Sequence, residues 1–162
     1  MRRSLSRARK DMYIDYCNEL DVYDPHHSDR FSVFSRLSAE RVCRSYMRRK
    51  AFKWIDIYSN NGILIGFLIV ARNLRLHGDG LYICEAYIIP EFRKNGYMTT
   101  EVNRHLQGYE GNVFFEIYDK NNRAINYWTN RMNKHSASLL GTNESFSGVE
   151  GLTEYHYYKN RS

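Results

Sequence analysis

Residues 81–100 have the types and the spacing of an anion-binding segment. The apolar run LYICEAYIIP predicts a buried strand that ends at Pro90, and a basic loop with Arg93, Lys94 and Gly96 follows it. A helix is predicted to begin just after Gly96. The first turn of a helix leaves backbone N–H groups without partners and carries partial positive charge, so it favours bound anions. The segment therefore predicts a site for a ligand that bears phosphate.

The usual nucleotide loops do not account for this signal. No stretch has the spacing of glycines, lysine and Ser or Thr that defines a P-loop, and no G-x-G-x-x-G run occurs. Gly78-Asp79-Gly80 is typical of a turn between strands. The phosphate of the predicted ligand must therefore belong to another class of cofactor.

Two segments carry a resemblance to a known family. RKNGYM at 93–98 resembles the R/Q-x-x-G-x-G/A signature of GNAT-type N-acetyltransferases, and YIIPEFR at 87–93 resembles their strand-to-loop passage. NNRAINYW at 121–128 resembles their later N-x-R-A-I-x-F-Y segment. Two matches in the right order and at the right distance are more specific than either alone. The chain departs from the pattern at Met98, where Gly or Ala is usual, and at Trp128, where Tyr is usual.

The resemblance implies the fold, the cofactor and its contacts. The fold class would be α/β (α+β), a GNAT fold whose central mixed, mostly antiparallel twisted sheet is flanked by helices. The fourth and fifth strands of that fold would splay to hold acetyl-CoA. We expect one domain over residues 1–162, with a basic tail at 1–10 that could be disordered. The implied cofactor contacts are Ile88, Ile89, Arg93, Lys94, Asn95, Gly96, Tyr97, Met98, Thr99, Asn121, Ala124 and Trp128.

Acetyl transfer to an amine needs a base for the amine and a proton for the departing thiolate. Glu85, the only acid inside the predicted strand, is the expected base, and burial would raise its pKa toward neutrality. It could instead bind the substrate cation or pair with Arg72, and Asp56 and Tyr58 are fallback candidates. Because an indole N–H is too weak an acid, Tyr127 is the expected acid beside Trp128, with water or lost catalysis as the alternatives. Asn121 could be a helix N-cap as well as a cofactor contact.

The acceptor is expected to be a primary amine of a small molecule or a protein. The loop after the first helix combines carboxylates with aromatic rings, which suits a cation but equally describes a solvated surface loop. Its members are Asp21, Tyr23, Asp24, Asp29, Phe31 and Phe34, and three further tyrosines, Tyr155, Tyr157 and Tyr158, lie in the last predicted strand.

Local sequence patterns predict four helices and six strands. Helices are expected over 4–20, 35–50, 97–107 and 121–132, and the second of these has the clearest amphipathic spacing. Strands are expected over 51–59 and 63–72, joined by the hairpin signal Asn61-Gly62, and then over 81–90 and 112–118. Two weaker strands, over 137–140 and 152–158, complete the pattern.

Composition and charge limit the classes of protein and of binding partner that are expected for this chain. The chain is 43% apolar and has a net charge of +6, and its first ten residues hold five of the basic side chains and no acid. We interpret this excess as local, so a nucleic-acid partner is not favoured. The three cysteines, Cys17, Cys43 and Cys84, lack metal-ligand spacing, and no metal or membrane partner is expected. A cytoplasmic enzyme is the expectation, with a homodimer left open. The alternative is a GNAT-fold binding or regulatory protein that has lost catalysis and acts through protein or nucleic-acid contacts.

Overall fold

The computed structural model describes residues 2–23, 36–72, 79–144 and 150–161, with the side chains of 2–4 and 36–38 left aside. The helices are α1 (Arg2–Asp21), α2 (Arg36–Arg48), α3 (Tyr97–Leu106) and α4 (Asn122–Lys134), with a short 3-10 helix at Pro90–Phe92. The strands are β1 (Phe52–Tyr58), β2 (Leu64–Arg72), β3 (Leu81–Ile88), β4 (Gly111–Tyr118), β5 (Ala137–Glu144) and β6 (Leu152–Lys159). All ten predicted helices and strands are present, with bounds shifted by a few residues. No helix among the described residues is both long enough and apolar enough to cross a bilayer.

The basic N-terminal segment at residues 2–10 forms the first half of helix α1. Arg9 donates two hydrogen bonds, of 2.8 and 2.7 Å, to the carboxylate of Asp56 on β1. Lys10 forms an ion pair with Glu40 of α2. Two cations of this basic segment, Arg9 and Lys10, are therefore attached to the rest of the fold.

The six strands form one mixed sheet in the order β1-β2-β3-β4-β6-β5. Only the β3–β4 pair is parallel, because α3 carries the chain from one strand to the next. Helices α3 and α4 pack on one face around Val102, Leu106 and Met132. Helices α1 and α2 cover the other face, where Phe67 and Ile69 of β2 are fully buried. The expected fold class is confirmed.

The sheet opens between β3 and β4. These strands pair at only three positions, the last being Ile83 with Phe115. The β2–β3 register shifts between Ile69 and Val70, which leaves Cys84 as an extra residue on β3. A bulge of this kind bends its strand and increases the local twist. The bulge at Cys84 therefore lies where β3 separates from β4. Strands β3 and β4 of this chain correspond to the fourth and fifth strands of the family fold, which the resemblance implied would splay.

Candidate active site

A cavity of about 470 Å³ runs through the opening between β3 and β4. Glu85 and Cys84 line it from β3, and Asn121, Ala124 and Trp128 line it from α4. Tyrosines from α1 and α2 close it on the opposite face of the sheet. The cavity therefore connects the two faces through the sheet, and two ligands could meet beside Glu85.

Glu85 is held by three tyrosine hydroxyl groups. Tyr13 and Tyr46 donate to its Oε1 atom at 3.3 and 3.1 Å, and Tyr16 donates a short hydrogen bond to its Oε2 atom. Tyr13 and Tyr16 lie one helical turn apart on α1, whereas Tyr46 comes from α2. A carboxylate that accepts three hydrogen bonds is held in one orientation, with its oxygens at the cavity wall.

The surroundings of Glu85 move its pKa in opposite directions. Burial raises the pKa of Glu85 above its ordinary value of 4.5, the three tyrosine hydrogen bonds lower it, and the charge of Glu116 raises it, with a net increase. Burial is also the main reason why the pKa values of Tyr13, Tyr16 and Tyr46 lie well above normal, so these side chains keep their protons as donors. Glu85 therefore lies at the cavity wall with a raised pKa, which makes it the candidate general base of the site.

These three tyrosines were missed by the sequence analysis. Residues 13 and 16 are three apart, which places them on one side of a helix, but nothing local identifies the group they face. The structure does not pair Glu85 with Arg72, the alternative raised from the sequence. Asp56 does not line this cavity, and its carboxylate forms an ion pair with Arg9.

The loop before α3 has the geometry of an anion cradle. Lys94 and Gly96 both have positive φ angles, of 67° and 81°. Gly96 is the N-cap of α3 and no side chain caps the helix, whose first internal bond runs from Thr100 N–H to Gly96 O at 2.9 Å. The N–H groups of Tyr97, Met98 and Thr99 therefore have no partner within the helix. A Cβ atom added at Gly96 would meet no atom within 4 Å, so the space in front of this turn is open.

The side chains of this loop divide into exposed and packed groups. Lys94 and Asn95 are exposed, and the amide of Asn95 donates to Phe92 O at 3.3 Å. Tyr97 and Met98 pack against the core between the sheet and α3. Met98, which departs from the family pattern, is half-buried and packs against the core.

Arg93 is held by protein groups. Its Nε atom donates to Ile88 O at 2.7 Å, its guanidinium pairs with Glu19 of α1, and its Cζ atom lies 5.4 Å from the ring centre of Tyr87. The Arg93 N–H group bonds to Pro90 O. These contacts indicate that Arg93 connects the loop to helix α1 and to the end of β3.

The end of β3 presents a backbone group to the opening. Ile89 N–H donates to Ile65 O of β2 at 2.9 Å. Since successive peptide groups in a strand point to opposite neighbours, the N–H of Ile88 faces the side of β4. The backbone N–H of Ile88 is therefore directed toward the opening between β3 and β4.

The predicted acid Tyr127 does not reach the cavity. Its hydroxyl lies 3.4 Å from Thr99 Oγ1 at the start of α3, and Arg131 lies over its ring with the Cζ atom 5.7 Å from the centroid. Arg131 also donates to Thr99 Oγ1 at 3.1 Å. A one-residue step along α4 turns the side chain by about 100°, which separates Tyr127 from the cavity. Tyr127 thus stands beside the anion cradle.

Trp128 occupies the cavity wall where the family pattern has Tyr. It is 7% exposed, and its ring centre lies 5.4 Å from that of Phe115 on β4. Asn121 is the N-cap of α4, since its Oδ1 atom accepts from Ala124 N–H at 3.1 Å, and it also lines the cavity. Both roles considered for Asn121 are therefore compatible with its position.

The structure places the other residues selected from the sequence in different environments. Asp21 lines the cavity, whereas Asp24, Asp29, Phe31 and Phe34 lie outside the described residues. The rings of half-buried Tyr155 and buried Tyr157 stack on Phe115, and neither residue lines the cavity. Burial raises the pKa of the Cys84 thiol to about 12, so it stays protonated at neutral pH. Among the described residues, no group of His, Cys, Asp and Glu could hold a metal ion.

Comparisons with known proteins agree with this geometry. The sequence model of the Acetyltransferase (GNAT) family matches residues 15–133, which include the base candidate, the anion cradle and all of α4 except its last residue. The chain therefore belongs to the GNAT acetyltransferase family. Among curated proteins, no sequence matches the chain significantly.

Solved structures show the same fold at low sequence identity. The solution structure of apo YjaB from Escherichia coli has a TM-score of 0.60 at 14% identity, covering 97% of this chain and 92% of that one. An acetyltransferase from Thermus thermophilus has a TM-score of 0.58 at 10% identity, covering 88% of each chain. A spermidine N-acetyltransferase chimera from Vibrio cholerae and hSSAT has a TM-score of 0.53 at 15% identity, covering 90% of this chain and 88% of that one.

Proposed function

We propose that this protein is an acetyl-CoA-dependent N-acetyltransferase that transfers the acetyl group directly to a primary amine. The observation that carries the proposal is the position of Glu85, which lines the opening between β3 and β4 with its carboxylate held by three tyrosines. Family membership supports the reaction class. Acetyl-CoA supplies the activated acetyl group.

The residues present fit this cofactor at its phosphate end. The open space in front of Gly96 and the first-turn N–H groups of α3 suit a pyrophosphate, and exposed Lys94 adds positive charge. The backbone of Ile88 and Ile89, with Asn121, Ala124 and Trp128 on the other side, would contact the pantetheine arm. Thr99 and Tyr127 would stabilise the start of α3 next to the phosphates.

In the proposed reaction, Glu85, the backbone N–H of Ile88 and water each have one role. Glu85 takes the proton of the amine, directly or through water, so that the neutral nitrogen can bond to the acetyl carbon. The Ile88 N–H donates toward the carbonyl oxygen, where negative charge develops. The carbon–sulfur bond breaks, and the thiolate receives its proton from water, since the cavity presents Trp128 where the family pattern has Tyr. A coenzyme A thiolate is a good leaving group, so the reaction tolerates this substitution.

The test is a calorimetric titration with acetyl-CoA and with coenzyme A, followed by an assay of thiol release with a panel of primary amines. We expect micromolar binding of both ligands and thiol release that depends on the amine. Binding without release for any amine would instead indicate a binding or regulatory protein. Absence of binding at millimolar ligand would rule out the cofactor site itself.

A further inference from the structure

The side chain of Arg93 joins the loop before α3 to helix α1 and to the end of β3. Its Nε atom donates to Ile88 O at 2.7 Å, and its guanidinium forms an ion pair with Glu19. Its Cζ atom lies over the ring of Tyr87, 5.4 Å from the centroid. The side chain is only 17% exposed, and a planar guanidinium with its donors in fixed directions is held in one orientation by such contacts. The ion pair therefore fixes how α1 lies relative to this loop.

Glu19 lies on the same side of α1 as two of the donors to Glu85. Tyr16 and Glu19 are three positions apart, so their side chains are neighbours on the helix surface, and Tyr13 lies a further three positions before them. The hydroxyl groups of Tyr13 and Tyr16 both donate to the Glu85 carboxylate. One side of α1 thus carries both the ion pair to the loop and the donors to the candidate base.

Tyr87 provides a second connection between Arg93 and Tyr16. The Tyr87 ring, which lies beneath the Arg93 guanidinium, is buried, and its centre lies 5.6 Å from that of the Tyr16 ring. Tyr16 therefore contacts both Tyr87 and Glu85. Because a hydrogen bond weakens steeply as its angle and distance depart from the optimum, a small displacement of α1 would weaken the bond from Tyr16 to Glu85.

We propose that Glu19 is a positioning residue, whose ion pair with Arg93 holds helix α1 where its tyrosines reach Glu85. The inference rests on the proposed function, because it gives Glu19 a part in presenting the base of that reaction. Glu19 is not among the described residues that line the cavity, so it acts through the tyrosines and touches neither substrate. Since the loop that bears Arg93 leads into the anion cradle, the same ion pair joins the cofactor side of the site to the base.

The groups that face Glu85 come from four elements. Its titratable neighbours are Tyr13, Tyr16 and Cys17 of α1, Tyr46 of α2, Cys84 of β3 and Glu116 of β4. Substitution of Glu19 leaves all of them in place. A change in the titration of Glu85 would therefore report a change in how these groups are arranged.

The sign of that change separates positioning from direct electrostatics. Burial raises the pKa of Glu85, and the tyrosine hydrogen bonds lower it, so weaker bonds from α1 would leave the pKa higher. Removal of the negative charge of Glu19 acts in the opposite direction, because one carboxylate fewer makes ionisation of a nearby carboxyl easier. A higher pKa of Glu85 in a Glu19→Gln variant can therefore come only from the lost positioning.

The experiment measures the titration of Glu85 in the folded protein. Protein with ¹³C-labelled glutamate carboxyl groups is titrated by NMR, and the Glu85 signal is identified by its absence in Glu85→Gln. In Glu19→Gln we expect the pKa of Glu85 to rise by about 0.5 or more, as the weakening of a hydrogen bond to a carboxylate would give. Asp15→Asn is the matched control, since it removes an exposed acid one turn earlier on α1, and it should give no rise. An unchanged or lower pKa in Glu19→Gln, or an equal rise in the control, would overturn the proposal.

A second variant tests whether Glu19 acts through Arg93. Arg93→Gln should also raise the pKa of Glu85, and the double variant should rise no further than the larger of the two single effects. Shifts that add in the double variant would overturn the connection through this pair.

Steady-state assays relate the titration to the reaction. The acidic limb of kcat/KM should move to higher pH in Glu19→Gln by the same amount as the pKa. A limb that stayed in place despite a raised pKa would overturn the role of Glu19 in the reaction. Because the NMR titration needs no turnover, the absence of thiol release from the wild type with every amine would contradict the proposed function alone.

Discussion

Tyr46 Oη donates a 3.1 Å hydrogen bond to Glu85 Oε1 across 39 positions of sequence, and it thereby joins helix α2 to the strand that bears the candidate base. Tyr13 and Tyr16 join α1 to the same carboxylate, and Glu19 of α1 joins the anion-binding loop through Arg93. Helix α1 therefore contacts both the candidate base and the loop before α3. Its placement relative to the sheet is part of the active-site geometry.

The pH dependence of turnover should follow the protonation of Glu85. Because burial raises the pKa of this group above 4.5 and the active form is the carboxylate, kcat/KM should rise with pH through that raised pKa. Glu85→Gln should lose most of the turnover together with this acidic limb, while its affinity for acetyl-CoA remains. Steady-state assays across pH test this, and a variant that keeps the wild-type limb would exclude Glu85 as the base.

The raised pKa of Glu85 should also make the free energy of unfolding depend on pH. A carboxyl whose native pKa is raised binds its proton more tightly in the native state, so its contribution is complete below pH 4.5 and is lost as pH rises through the native pKa. The Glu85→Gln variant has no carboxyl at this position, so it does not lose this contribution to stability as pH rises. Urea denaturation at several pH values should therefore show the variant gaining stability relative to the wild type as pH increases, and a constant difference would contradict this.

Removal of one tyrosine hydroxyl should shift the pH profile in a known direction. The hydrogen bond from Tyr46 lowers the pKa of Glu85, so Tyr46→Phe should move the acidic limb to higher pH and leave the plateau in place. Tyr109→Phe is the control, because the Tyr109 hydroxyl donates to Asn112 O and not to Glu85. A shift of the limb to lower pH in Tyr46→Phe would show that this hydroxyl does not stabilise the carboxylate.

Gly96→Glu should abolish binding of coenzyme A. The added carboxylate would enter the open space in front of α3 and repel the pyrophosphate. Gly108→Glu is a closely matched control, since Gly108 also has a positive φ angle, of 70°, and no atom within 4 Å of an added Cβ, but lies beyond the other end of α3. Each substitution strains the backbone by about 1–2 kcal/mol. Equal coenzyme A affinities in titrations of the two variants would contradict the cradle.

Trp128→Phe should leave turnover within about twofold of the wild type. It keeps an aromatic ring against Phe115 and removes only the indole N–H, which is too weak an acid to protonate the thiolate. Trp54→Phe makes the same change away from the cavity, where Trp54 Nε1 donates to Asp56. If thiol release fell tenfold or more in Trp128→Phe alone, water could not be the proton donor without help from this group.

Arg9→Gln should destabilise the protein far more than Arg7→Gln. Arg9 is 27% exposed and donates two hydrogen bonds to Asp56, which is 10% exposed, so its removal leaves a buried carboxylate with fewer donors and costs about 1–3 kcal/mol. Arg7 pairs with Asp11 on the exposed side of α1, and such pairs contribute about 0.5 kcal/mol or less. Urea denaturation with equal m-values measures the difference, and similar losses would show that the N-terminal turns are not anchored at Asp56.

The helices, the strands and the anion-binding geometry of the loop before α3 could be predicted from local sequence patterns alone. The continuous apolar run of β2, the Asn61-Gly62 turn, and the strand, glycine loop and helix over 81–106 each depend on neighbours within a few residues, which a sequence displays directly. The positive φ angle of Gly96 follows from the same kind of local constraint. Glu85 could be selected because an acid inside an apolar strand requires a partner or a function.

Only the tertiary structure decided the surroundings of those residues. Glu85 meets tyrosines that are 72, 69 and 39 positions away, and Arg93 meets a glutamate 74 positions away. These contacts depend on how α1 and α2 lie across the sheet, and a helical pattern specifies which face is buried but not where the helix rests. The rotation of α4 likewise placed Trp128 in the cavity and Tyr127 beside Thr99. Glu85 could be selected from the sequence as the candidate base, whereas its three tyrosine donors depend on how α1 and α2 pack on the sheet.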